Sequence, residues 1–201
     1  MILQSLARRV GLVSMIAAAL IIVSQGLNLA LGLAMGGAPS ADSVVHSLRY
    51  GLALLAMYCL LLALTGIFLR QADAAGWLGV AGYLVAFLGT LLVAGDWWFE
   101  SFIAPRIAEV APEVMTGAIT GSLAAGAFLT SGLFGLGWTA FGIATFRANV
   151  YPRAAAVVLI IGGAVGFLAL NTPYQIPLAI AIGWIGYSLH QADAHRTVIT
   201  A

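Results

Sequence analysis

Lysine is absent from this chain of 201 residues, and its eight arginines and seven acids never enter its long apolar runs. Charged residues make up 7% of the chain, against about a quarter in a soluble domain. A formal net charge of +1 offers nothing to a polyanion, so no nucleic-acid partner is expected. The single cysteine, Cys59, excludes an intramolecular disulfide. Set in the middle of an apolar run, it reads as a small buried hydrophobe rather than a metal ligand or redox thiol. No cysteine pair, phosphate-cradling glycine loop or metal-ligand cluster occurs, so neither a metal nor a cofactor is expected. Charges within the apolar runs would mark proton relays, ion paths or voltage sensors, and their absence disfavours an ion-coupled carrier. His46, His190 and His195 fall at the ends of runs or in the tail. That placement disfavours axial haem ligation and a buried Ser–His protease pair.

What fills the chain instead is six uncharged apolar stretches, at 10–35, 51–69, 77–95, 114–146, 154–170 and 173–189. Each is long enough to cross a bilayer, where the backbone must satisfy its own hydrogen bonds. The expected fold is therefore all-α: a single transmembrane domain over 1–201, a polytopic membrane helix bundle of six helices. Arg8 and Arg9 before the first run resemble the start of a signal peptide. The run is 26 residues, however, where a cleavable apolar region is about 7–15, so it reads as an uncleaved first helix.

Orientation follows from the arginines. With the N-terminus inside, Arg8, Arg9, Arg70, Arg147, Arg153 and Arg196 are cytoplasmic and only Arg49 and Arg106 lie outside. Such a bias over short loops places both termini in the cytoplasm, with 37–48 and 96–113 facing outward. Trp77 and the pair Trp97–Trp98 stand 20 residues apart, about 30 Å of helix, which matches the hydrocarbon thickness and predicts an interfacial belt at both ends.

In lipid, apolar side chains gain little by leaving tails for one another, so small residues that let backbones approach must hold the bundle. Ser24, Asn28, Gly32 and Gly36 recur every fourth residue in the first run. Gly117–Gly121, Ser122–Gly126 and Ser131–Gly135–Thr139 do so in the fourth, and Gly162–Gly166 in the fifth. Gly32 and Gly121 are thus expected against neighbouring helices, and Gln25 and Asn28 are expected to bond between helices. An internal echo joins 66–74 to 186–194, which share Gly66/Gly186, Leu69/Leu189 and the tetrad Gln-Ala-Asp-Ala. A duplicated hairpin and convergence on a favourable helix end both account for it. Thr172 can cap the sixth helix, with Pro173 in its first position and Pro177 one turn on.

The turn Gly142-x4-Arg147-x4-Pro152-Arg153, followed by a small-residue-rich apolar helix, resembles a turn of uncharacterised six-helix bacterial integral membrane proteins. The resemblance implies a fold and the bacterial inner membrane, and no catalytic residues.

The longest polar connection is 96–113. Phe99, Phe102, Ile103, Ile107, Val110 and Val114 recur at three- and four-residue steps within it, with Pro105 placed to start a short helix and Pro112 to stop it. A short interfacial helix near 101–111 is expected there. Asp96 and Glu100 share a face one turn apart, within reach of Arg106 if the segment doubles back. With Trp97 and Trp98 they make the candidate ligand-binding set. Three functions are open. The first is a structural or accessory membrane component, with a membrane protein or a second copy as partner beside the lipid bilayer. The second is a binder or carrier of an apolar or lipid-like molecule near 96–113. The third is a membrane enzyme using Asp96 and Glu100 as an acid–base pair on a lipid-like substrate. A pocket lined by both carboxylates would separate the last two from the first.

Overall fold

The structure, a computed structural model, describes residues 2–35, 40–41, 43–115, 119–168 and 173–199, and side chains between 8 and 191 except Met35. Among the described residues the chain is helical and contains no strand. Its elements are α1 (Ile2–Met35), α2 (Val44–Phe102), α3 (Ala104–Val110), α4 (Pro112–Met115), α5 (Gly121–Ala148), α6 (Arg153–Val165), a 3-10 turn (Gly166–Leu168) and α7 (Ile176–Ile199). Among the described residues three helices are long and apolar enough to cross a membrane: Arg8–Ala34, Val44–Phe102 and Gly121–Ala148.

The 59 residues of α2 do not run straight. Gly76 adopts φ 56° and ψ −156°, a region that essentially only glycine occupies, and the helix breaks there. Pairings across the break show that the chain doubles back. Ser101 Oγ donates to the Ser47 carbonyl at 3.3 Å. Thr65 Oγ1 and Tyr83 OH lie 3.3 Å apart, and the Phe68 and Tyr83 rings stack at 4.3 Å. Thus α2 is an antiparallel hairpin whose two arms contain the expected stretches 51–69 and 77–95.

The remaining helices close a ring around this hairpin. α1 packs between the first arm and α7, while α5 packs between the second arm and α6, which in turn touches α7. Trp138, Phe134, Phe141, Met57, Leu64 and Ile182 are fully buried where the ring converges. Leu62, Phe128, Leu136 and Ile161 are at least half exposed on the outside, a pattern suited to lipid contact. Trp77 is 80% exposed, but Trp97 is 5% exposed and belongs to the core. The expected belt at the second arm's far end is therefore Trp98 alone.

Several boundaries differ from the apolar stretches. The expected helix at 114–146 is split: α4 ends at Met115, and α5 starts after an extended Thr120. Gly121 opens α5 with φ 59°, which a side chain would strain. α6 is 13 residues, about 20 Å, and ends in a 3-10 turn rather than reaching 170. α7 starts at Ile176, so Pro173 sits in the preceding turn and Pro177 in the first helical turn. Thr172 lies outside the described residues. The short helix is present as α3, with Pro105 in its first turn and a break at Ala111 before Pro112.

Close packing uses some of the glycines singled out by spacing, Gly135 and Gly162 among them, and others that were not. A Cβ at Gly89 or Gly137 would collide with the backbones of Phe134 or Ala86, locking the second arm to α5. Gly135 and Gly163 do the same between α5 and the α6 segment, and Gly162 between α6 and α7. Among the described residues a Cβ at Gly32 or Gly121 would meet nothing within 4 Å, so neither faces a neighbouring helix there, contrary to expectation. Gly36 and Gly117 lie outside the described residues. In the repeated segments Gly66 abuts Val10 and Gly186 abuts Gly11, so both matched glycines serve close approach to one spot on α1.

Buried polar groups reinforce these contacts. Gln25 Nε2 donates to Gln175 Oε1 at 3.1 Å, Gln71 Nε2 to Thr145 Oγ1 at 2.9 Å, and Trp138 Nε1 to Thr90 Oγ1 at 3.0 Å. Tyr151 OH donates to the Ile67 carbonyl at 3.1 Å. The two glutamines of the repeat part company here: Gln71 is buried, whereas Gln191 is exposed and bonds Tyr187.

Candidate functional site at the mouth of the hairpin

At the open end of α2, opposite Gly76, the polar residues of both arms meet. Ser43 caps the first arm, accepting from the His46 N–H at 3.2 Å. With the helix started there, His46 and Arg49 fall on the face that continues downward as Ala53, Met57 and Leu60. They are accordingly 5% and 4% exposed. Tyr50, one turn after His46, lies against both: ring centres are 4.7 Å apart with His46, and the Arg49 guanidinium sits 4.4 Å from the Tyr50 ring.

The second arm contributes Asp96 and Glu100. His46 Nε2 lies 3.0 Å from Glu100 Oε2, and because a carboxylate only accepts, the imidazole N–H donates. The same register sets Asp96 level with Tyr50, whose phenol feels the charges of Arg49, Glu100 and Asp96. Asp96 stands one residue past the 77–95 stretch. Burial, with the Glu100 charge one turn away, pushes its carboxyl up to about 6.

Two polar atoms of this cluster are buried without partners among the described residues, His46 Nδ1 and the Arg49 Nε–H donor. Among the described residues no carboxylate lies within 4.0 Å of Arg49 and no cation within 4.0 Å of Asp96. A desolvated guanidinium lacking a counter-ion is costly, and such groups gather where a ligand completes them.

The residues singled out from sequence are distributed as follows. Asp96 and Glu100 belong to the cluster. Trp97 points into the core, and Trp98 is half-exposed with its ring 5.9 Å from that of Phe102. Arg106 takes no part: it is exposed on α3 and pairs with Glu109 at 2.8 Å, one turn along its own helix. Its place is filled by His46 and Arg49, which the sequence reading set in the loop or just outside the second apolar stretch. The signal was present, since the stripe at 53, 57 and 60 extends back to 49 and 46 at helical steps.

No group of three metal-ligating side chains occurs among the described residues. A shallow apolar groove of about 230 Å³ lies elsewhere, between α5 and the turn after α6, lined by Phe128, Ser131 and Phe167 among others. Neither carboxylate lines it. Compared with known proteins, the chain matches no family model, no curated protein and no solved structure.

Proposed function

We propose that this protein is a structural or accessory component of the bacterial inner membrane, a six-span bundle without catalysis, with both termini in the cytoplasm. The observation that carries it is the use made of the interior. Gln25, Gln71, Thr145 and Trp138 with Thr90, all interior, bond between elements, and glycines bring backbones together. Interior polar groups thus join helices, as expected where packing and hydrogen bonds replace hydrophobic drive. The hairpin of α2 supplies two spans, and α1, α5, α6 with its 3-10 extension, and α7 supply four. This fits the resemblance of the Gly142–Arg153 turn to six-helix bacterial membrane proteins. Affinity purification in mild detergent, followed by mass spectrometry, tests the accessory role. A membrane protein recovered in near-equal amount, or a second copy of this chain, is expected; a lone monomer would overturn it.

One observation favours a second activity, binding of a lipid-like molecule at the hairpin mouth. Among the described residues Arg49 is buried there with no counter-ion, and of the two carboxylates in the cluster only Glu100 is paired. In the proposed orientation this mouth lies at the outer membrane–water interface, where headgroups are found. The same purification reads it out as lipid that survives delipidating washes.

A further inference from the structure

The hairpin mouth holds two opposite charges that do not meet. Arg49, on the first arm, is stacked on Tyr50 and lacks a carboxylate within 4.0 Å among the described residues. Asp96, on the second arm and level with Tyr50, lacks a cation within the same distance among the described residues. Glu100 is held by His46 and so cannot neutralise Arg49. A simple anion would satisfy Arg49 but be repelled by Asp96 and Glu100. A simple cation would satisfy Asp96 but meet the buried guanidinium. A molecule carrying both charges a short spacer apart satisfies both arms at once.

We propose that the mouth of the hairpin binds a zwitterion, its anionic group on Arg49 and its ammonium against Asp96 and Glu100, and that this zwitterion is the headgroup of an aminophospholipid. The assignment rests on the lipid-binding reading and names its chemistry. Arg49 offers planar, forked donors suited to a phosphate, including an Nε–H with no other partner. An ammonium beside Asp96 would relieve the Glu100 repulsion felt by that carboxyl. The flank of the cluster is apolar as a lipid requires: Leu48 is 69% exposed and Phe102 60% exposed. Acyl chains leaving the headgroup would lie on that surface.

The test uses the full-length protein, delipidated in detergent and then offered vesicles of phosphatidylethanolamine and phosphatidylglycerol in equal parts. The two lipids share a phosphate, and only the first carries an ammonium. Native mass spectrometry is expected to show phosphatidylethanolamine retained about tenfold over phosphatidylglycerol, the ratio that one charge-assisted contact supplies. Arg49→Gln and Asp96→Asn should each reduce that retention about tenfold. Arg106→Gln, remote from the cluster, should leave it unchanged. Soluble phosphoethanolamine provides an arm that depends on no variant: it should displace the lipid only at great excess. Saturation by phosphoethanolamine with no preference for the lipid would overturn the lipid source. Equal retention of both lipids, or wild-type retention by both cluster variants, would overturn the zwitterion site while leaving lipid binding in place. Retention of no lipid at all would remove lipid binding itself.

Discussion

Asp96 is the residue whose surroundings most change its chemistry. Its position after a glycine and before two tryptophans marks a helix end at the interface, where a carboxylate is ordinarily hydrated. The hairpin instead sets it against Tyr50 and one turn from Glu100, and burial followed by that like charge raises its carboxyl from 3.8 to about 6. The folded chain therefore holds a proton that the unfolded chain has already released. Stability on this account is greatest below 3.8 and declines as pH rises to about 6, beyond which the loss is complete. Asp96→Asn, with no proton to release, should show a flatter melting temperature across that window in detergent. The difference between the two curves isolates Asp96 from His46, Arg49, Tyr50 and Glu100, which face it in both proteins. Parallel curves would mean that Asp96 is hydrated in the folded state.

At the scale of elements, the bundle is governed by where two backbones actually cross. Spacing finds small residues that could face a neighbour, and it does not say which of them do. Gly89 and Gly137 lie at the crossing of the second arm and α5, where Cβ atoms would strike backbone that cannot move aside. At Gly32, which the spacing singled out, a Cβ would meet nothing within 4 Å among the described residues. Gly137→Ala should lower stability by about 1–3 kcal/mol through overpacking. Gly32→Ala should be neutral or stabilising by up to about 1 kcal/mol, from better helix propensity alone. Thermal unfolding of the two alanine variants, measured side by side in the same detergent, checks the contrast; a Gly137→Ala protein as stable as wild type would remove the proposed crossing. The repeated glycines fit the same account. Gly66 and Gly186 sit in like segments because α1 is approached closely from two sides at nearly the same height. The shared function ends there, since Gln71 is buried on Thr145 and Gln191 is exposed.

For the whole molecule, the ring closes because α1 and α7 meet, bringing the two ends of the chain to one side of the hairpin. Under the proposed six-span arrangement the α5–α6 turn and the Gly76 turn lie on the cytoplasmic face, and the polar cluster lies on the other. Asn149, exposed and left-handed at the end of α5, is a suitable probe position. With Cys59 replaced, a cysteine at 149 should react with an impermeant thiol reagent only after the membrane is opened. Labelling in intact cells would reverse the orientation and with it the assignment of the hairpin mouth to the outer interface.

Composition and hydropathy alone dictated that the chain is helical and apolar enough for a bilayer, because uncharged runs of this length leave the backbone no other way to satisfy itself. Local chemistry likewise fixed the short α3 through Pro105 and Pro112, and the Asp96–Glu100 face through a four-residue step. Tertiary structure decided the rest. Where α5 starts depended on backbone geometry at Thr120 and Gly121 rather than on hydropathy, since no charge interrupts the run there. Which glycines carry the packing depended on crossing points, a property of helix pairs and not of single helices. The partner of Glu100 was settled by the register of a hairpin that brings residue 46 to residue 100. Arg106, nearer in sequence, pairs instead with Glu109 one turn along its own helix.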